Sequence, residues 1–321
     1  MNLDLLISNV TNPAFLFFIL GIIAVKLKSD LEIPPNSSKF ISLYLLFSIG
    51  FKGGQELSHE TFTSEIAWSM LFGVGLSLLI PVYTFFILKR KLNIYDAGAI
   101  AAAYGSVSAV TFVTAVSYLD VQKLELHGHM VAIMALMESP AIITGLILMS
   151  IFNKEDADKV KPLSVLKHSL TNGSVLLILG SLIIGLLANA KQAEGIKPFT
   201  NDIFKGFLAI FLLDMGIVSG RKLSSFTNNG VFPLVFAIVI PLINGCVVAY
   251  LSSIVTDDVA NRFIFAVLAA SASYIAVPAA MKIAVPKANP GLFLPMALAV
   301  TFPLNITIGM PIYLSIIKLV V

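Results

Sequence analysis

Charge is what this sequence has least of. Of its 321 residues only 12% are charged, against 57% hydrophobic, and the mean hydropathy is +0.92. A soluble domain carries about 25% charged residues. A deficit of this size, spread over many long apolar runs, excludes a soluble fold and marks an integral membrane protein. The net charge of +3 therefore bears on topology and not on a nucleic-acid partner. A single cysteine, Cys246, excludes an intramolecular disulfide and a thiolate metal cluster. Residues 1–10 lack the basic n-region and small-residue cleavage site of a removable signal peptide. No low-complexity tail or appended soluble domain is expected. An intramembrane enzyme is excluded too: the apolar stretches hold no nucleophile–base pair, and Gly-Ser-Val-Ser at 105–108 lacks the G-x-S-x-G spacing of a nucleophile elbow.

What is present is apolar length. Ten segments are predicted to span the membrane, at 13–27, 37–51, 65–88, 96–119, 128–152, 170–190, 200–219, 230–255, 261–283 and 291–317. A span needs about 20 residues, so the first two are expected to be tilted or extended at their ends. The longest interior loop, 153–167, carries Lys154, Glu155, Asp156, Asp158, Lys159, Lys161 and Lys167. It divides the chain into two five-helix repeats, 1–155 and 156–321. Lys and Arg distribute fourteen to one side (Lys26 through Lys287) and seven to the other (Lys52, Lys123, Lys191, Lys197, Lys205, Arg262, Lys318). The excess assigns the first side to the cytoplasm and both termini to the outside.

Two of the spans are interrupted in the same way. Residues 101–111 read AAAYGSVSAVT and residues 268–278 read LAASASYIAVP. At an offset of 165, Ser106 falls on Ser271 and Ser108 on Ser273. Non-helical backbone at bilayer depth survives only where protein or a water-filled cavity satisfies its polar groups. Paired interruptions in two halves of a chain point to a transporter's binding site. Weaker matches accompany them: Ile19-Leu-Gly21 with Ile178-Leu-Gly180, each preceded by Thr-Asn (Thr11-Asn12, Thr171-Asn172); Gly50, Gly54 and Leu57 with Gly216, Gly220 and Leu223; Pro140 and Thr144 with Pro303 and Thr307. Because each half has an odd number of spans, the repeat is expected to be inverted.

Few residues in the spans could carry chemistry. Half-helix N-termini offer unpaired N–H groups and about half a positive charge, enough for an anion site without Lys or Arg. Ser106, Ser108, Ser271 and Ser273 add hydroxyls, which serve equally as caps of the broken helices. Glu138 is near the middle of the fifth span and Asp214 toward the end of the seventh. An acid at that depth costs about 2.5–3.5 kcal/mol and normally faces a cavity or a partner. A carboxylate beside hydroxyls and freed carbonyls is a hard-oxygen site for Na⁺ or H⁺; Asp214 could instead cap its helix or pair with Arg221 or Lys222. Asn244 and Asn305 read as interhelical glue, and the Gly50/Gly53/Gly54 and Gly216/Gly220 sets as close helix packing. His127 and His129 form an H-x-H, with His59 and His168 near segment ends, but no further ligands accompany them in sequence, so no metal other than Na⁺ is expected.

At these residues the chain resembles the sodium-dependent bicarbonate transporter family best known from cyanobacteria. Ile33-Pro34 with the IGFKGG of Ile49 to Gly54 resembles that family's second helix. Gly105 to Ser108 with Thr111 resembles its first broken helix, and Glu138-Ser-Pro140 an Asp-x-Pro. Ala269 to Ser273, Pro278, and the PKANP of Pro286 to Pro290 resemble the second broken helix and the loop after it. The resemblance implies an all-α ten-helix inverted repeat with helices 4 and 9 broken and crossing. It implies a gate domain from helices 1, 2, 6 and 7 and a core domain from helices 3–5 and 8–10. It further implies a homotrimer, an inner-membrane location and a cytosolic PII-like regulator as partner. The bicarbonate residues it implies are Ser106, Val107, Ser108, Ala272 and Ser273; Gly105, Ser271 and Tyr274, which adjoin them at the two breaks, complete the candidate set. The Na⁺ residues are Ser108, Thr111, Glu138 and Ser273, with Asp214 a further coupling candidate. This chain departs from that family at Tyr274 (an Asp there), at Val277-Pro278-Ala279 (Gly-Pro-Pro there), at Glu138 (Asp there) and in a shorter loop between halves. The expected function is bicarbonate import coupled to Na⁺, with no organic cofactor. The alternatives are a Na⁺- or H⁺-coupled symporter of another small carboxylate and a membrane-embedded anion sensor.

Overall fold

The computed structural model describes residues 13–152, 173–226 and 230–320. The charged loop between the halves, the two Thr-Asn pairs and both chain ends lie outside the described residues. The described chain is helical, without strands. Its helices are α1 (Pro13–Lys26), α2 (Pro35–His59), α3 (Ser64–Leu88), α4 (Ile94–Gly105), α5 (Ala109–Val121), α6 (His129–Phe152), α7 (Gly173–Leu187), α8 (Ala190–Lys197), α9 (Phe204–Phe226), α10 (Val231–Leu251), α11 (Val259–Ala270) and α12 (Ala276–Ala284). A final run, α13, extends over Pro290–Val320 and passes through π segments at Met296–Thr301 and Asn305–Gly309.

Six helical runs are long and apolar enough to cross a membrane: α3, Ile94–Val121, α6, Ala190–Lys222, Val231–Ile254 and α13. Three shorter apolar helices lie at Phe15–Lys26, Val175–Leu187 and Val259–Ala270. α2 is long, at 25 residues, but too polar to join the six. The expected second span, 37–51, is extended at both ends: Pro35 opens the helix, where its missing N–H costs nothing, and a polar last turn carries it to His59. Starts follow local chemistry elsewhere. Thr63, Asn93, Ser108 and Asp258 each accept a backbone N–H at the head of α3, α4, α5 and α11, and Asn189 with Gln192 closes a capping box on α8.

α1 packs along α9 and α2 along α7, while α3, α4 and α6 pack together, as do α10, α11 and α13. In lipid no hydrophobic force drives apolar helices together, so close packing of small residues does it. A Cβ on Gly21 would strike Leu213 O and the backbone around Gly216; one on Gly54 would strike Leu182 O and the backbone around Gly185. The glycine stripes expected to pack closely do so: Gly50 meets the Ile178 carbonyl, Gly53 meets Val131 and Gly220 meets Val25. One register differs. Gly180, the sequence match of Gly21, lies in open space, and Gly185 makes the backbone contact.

The helices before the two breaks lie at the centre. Every residue from Asp96 to Gly105 and from Ala260 to Ala270 is buried. Apart from Asp96, Asn261 and Arg262 near their starts these stretches are apolar all round, which places a helix inside a larger bundle, and their alanines admit neighbours on every side. Outer helices carry large exposed apolar side chains, as a lipid-facing surface requires: Trp68, Leu71 and Leu79 on α3, and Val235, Ile243 and Tyr250 on α10.

Candidate functional site

Both interrupted spans are broken. α4 ends at Gly105 and α5 begins at Ala109; α11 ends at Ala270 and α12 begins at Ala276. A broken helix leaves carbonyls at its C-terminal end and N–H groups at the next N-terminus without intrahelical partners. The two breaks lie against each other and supply many of those partners. Ser273 N–H donates to Ala103 O at 2.8 Å, and Ser108 N–H to Ser271 Oγ at 3.0 Å. Ser271 Oγ in turn donates to Leu268 O at 2.8 Å. Ser108 Oγ accepts from Thr111 N–H at 3.1 Å, Ser273 Oγ accepts from Val277 N–H at 3.3 Å, and Ser106 Oγ reaches Glu138 O at 3.4 Å. All four serines thus serve the break itself.

Asn244 and Asn305 hold the same break from outside. Asn244 Nδ2 donates to Ala269 O at 3.3 Å and Asn305 Nδ2 to Ala270 O at 2.6 Å, covering the open carbonyls of α11. Tyr83 OH donates to Asn244 Oδ1, and Tyr313 OH to Asn305 Oδ1 at 2.9 Å. On the other break, Tyr104 OH lies 2.8 Å from Thr301 Oγ1, which donates to Ala237 O at 2.8 Å. Gly105 is explained by packing, since a Cβ there would run into the Pro81 ring.

Between the breaks is a cavity of about 20 Å³ lined by Val107, Ser108, Ala109, Glu138, Ser273, Tyr274, Ile275 and Ala276. Roughly 10–15 Å³ on this measure holds one water, so the space takes one water-sized particle. Its donor set is a carboxylate with two hydroxyls, the hard-oxygen set that suits an alkali cation. Ala109 and Ala276 are the first residues of α5 and α12, so both helix N-termini border it. Glu138 is buried on α6, which runs unbroken through Pro140. Among the described residues its carboxyl has no hydrogen-bond or ion-pair partner.

A second cavity of about 500 Å³ adjoins the first across a shared wall, Tyr274 and Ile275. Glu32, Ser38, Lys39, Asp214, Met215 and Arg221 are among its lining. Asp214 belongs here and not at the crossing; Ser38 Oγ donates to its carboxylate, and Arg221 pairs with Glu32 at 3.6 Å. A third cavity, about 200 Å³, lies further along α2 at Ser48, Ile49 and Lys52, with Asp120, Thr200 and Lys205.

Of the residues singled out from sequence, the fold gathers Val107, Ser108, Glu138, Ser273 and Tyr274 around one cavity. It leaves Gly105, Ser106, Thr111, Ser271 and Ala272 buried beside that cavity but not in its lining, and Asp214 in the neighbouring one. Ala109, Ile275 and Ala276 escaped sequence reasoning because they offer backbone, not side chains; their signal is position, directly after a break.

An all-helical, multi-span membrane protein with two broken helices meeting at a small cavity that holds one carboxyl is the class defined by this fold. Residues 13–318 match the family model of the Na⁺-dependent bicarbonate transporter superfamily, and the chain belongs to that superfamily. No match is found among curated proteins.

Proposed function

We propose that the protein is a secondary active transporter that imports bicarbonate together with Na⁺. The observation that carries the reading is the cavity at the crossing, where Glu138, Ser108 and Ser273 face two helix N-termini, in a member of a Na⁺-dependent bicarbonate transporter superfamily. Na⁺ is assigned to Ser108, Thr111, Glu138 and Ser273. Bicarbonate is assigned to the backbone and hydroxyls of Gly105 to Ser108 and Ser271 to Tyr274. The crossing cavity suits an ion; the four heavy atoms of bicarbonate need more room, which displacement of Tyr274 and Ile275 toward the 500 Å³ cavity supplies.

The architecture in this reading is a ten-span inverted repeat with halves 1–155 and 156–321. It is supported by the matched contacts of α1 with α9 and of α7 with α2, each built on a glycine pair. α1, α2, α7 and α8–α9 form the gate; α3–α6 and α10–α13 form the core. With the Lys- and Arg-rich side in the cytoplasm, both termini are external and the large cavity, bordered by Lys39 and Arg221, faces inward. A homotrimer and a cytosolic PII-like regulator belong to the same reading. The energetics are consistent. Bringing one anion into a negative cell costs about 2.3 kcal/mol per 100 mV, and one co-transported Na⁺ cancels that electrical term, leaving the Na⁺ gradient to drive uptake.

Uptake of a panel of labelled small anions into proteoliposomes, with and without Na⁺, tests the reading. Na⁺-stimulated bicarbonate uptake supports it. Na⁺- or H⁺-stimulated uptake of another carboxylate would replace the substrate, and anion binding without flux would make the protein a sensor.

A further inference from the structure

We infer that the chain carries a second cation site, for a divalent transition metal of the zinc class, built by Glu60, His127 and His129. The three residues come from separate segments. Glu60 follows the end of α2, and His127 and His129 flank Gly128 at the start of α6. One ligand atom from each lies within 4.8 Å of the others. The H-x-H was set aside in the sequence for want of a third ligand; Glu60, 67 residues before His127 in the chain, is that ligand, and only folding brings it in.

Gly128 makes the meeting feasible. A Cβ at this position would collide with Gly53 O and Leu57 N, so the His-Gly-His turn lies flat on the α2 backbone. Its N–H donates to Glu60 Oε1 at 2.7 Å, fixing the carboxylate between the imidazoles. His129 Nδ1 lies 2.7 Å from Glu60 Oε2, and His127 Nδ1 lies 3.8 Å from Glu60 Oε1. The His129–Glu60 contact is a hydrogen bond that a metal would replace: tetrahedral zinc with bonds of about 2.0–2.1 Å separates its ligand atoms by roughly 3.3 Å, so the two groups need only part by about half an ångström. His127 has the surroundings of a metal ligand. Its other nitrogen, Nε2, is 3.6 Å from Asp258 Oδ2, so a small turn of the ring would bring it to the outer carboxylate that a ligating imidazole usually has. At 3.6 and 3.8 Å it hydrogen-bonds to neither carboxylate. His129 is buried and His127 is 41% exposed, which gives an ion a way in. Three protein ligands leave the fourth position to water.

The site ties α2 to the loop before α6 and, through Asp258, to the start of α11. In the transport reading above these are gate and core, so a bound ion would restrain their relative movement; that consequence rests on the reading, whereas binding does not. The test uses the full-length chain in detergent, freed of metal and titrated with Co²⁺, whose visible d–d band reports a low-coordinate nitrogen–oxygen site. One equivalent per chain is expected, displaced by Zn²⁺. His127→Gln, at a half-buried position outside the transport site, should weaken Co²⁺ binding at least about tenfold, and Glu60→Gln likewise. No d–d band, or equal Co²⁺ affinity in wild type and His127→Gln, overturns the proposal. In proteoliposomes, Zn²⁺ should slow uptake by the wild type and spare His127→Gln. Binding without any transport activity would fail the transport reading and leave the metal site standing; normal Na⁺-stimulated uptake with no Co²⁺ bound would do the reverse.

Discussion

Replacing Glu138 by Gln separates folding from function more cleanly than any other single change. Glu138 is buried on a helix that continues through it, and its carboxyl holds no hydrogen-bond or ion-pair partner among the described residues. Gln keeps the shape and removes the charge. No protein contact is lost, and the cost of a charge at bilayer depth, about 2.5–3.5 kcal/mol on insertion scales, falls away. The variant should therefore insert and melt no earlier than wild type. Function should fare differently. The crossing cavity has Glu138 as its sole carboxylate beside Ser108 and Ser273, so a Na⁺ there loses its one full counter-charge. Coupling between two ligands is typically about 1–3 kcal/mol, or roughly 5–150-fold in affinity, and is reciprocal. Bicarbonate binding measured at low and high Na⁺ should show a Na⁺-dependent gain of that size in wild type and none in Glu138→Gln; Na⁺ binding at low and high bicarbonate should give the same factor. A mutant that keeps the wild-type Na⁺ stimulation would refute the argument and move the cation to another carboxylate, with Asp214 the next to test.

Tyr274→Asp introduces a carboxylate at the wall between the two cavities, which at about 2.5–3.5 kcal/mol for an acid at bilayer depth should lower the melting temperature and, in the folded protein, change ion dependence; unchanged Na⁺ dependence together with unchanged anion affinity would place Tyr274 outside the transport path. Asn305→Ala leaves the Ala270 carbonyl of α11 without its donor, whereas Tyr313 OH falls back on Pro241 O at 3.5 Å; the loss should be about 1–3 kcal/mol, above the average of about 0.6 kcal/mol for side-chain bonds between membrane helices, in a detergent melting experiment. Two glycines of α7 should respond in opposite directions: Gly185→Ala drives a Cβ into Phe51 O and costs about 1–3 kcal/mol, while Gly180→Ala meets nothing and gains about 0.5–1 kcal/mol from reduced backbone freedom.

The sequence alone determined the class of protein and the local shape of its helices. Scarcity of charge left a membrane as the only solvent for this chain. The AAAYGSVSAVT and LAASASYIAVP stretches marked both breaks, because small and hydroxylated residues in an apolar run are a local signal of backbone that must find other partners. The Ser108 cap was legible for the same reason: a cap bonds within three residues of itself. Tertiary structure decided which faces meet. Apolar helices carry little directional information about their neighbours in lipid, so matching Gly180 to Gly21 by sequence gave one register, and packing against the α2 backbone chose Gly185 instead. Whether Asn244 and Asn305 were ligands or glue depended on open carbonyls at Ala269 and Ala270, one or two helices away. Asp214 was drawn to Ser38 and the larger cavity, away from Glu138. Glu60 became a partner of His127 and His129 because Gly128 has no Cβ to hold the loop off α2, a fact of close approach that no spacing along the chain records.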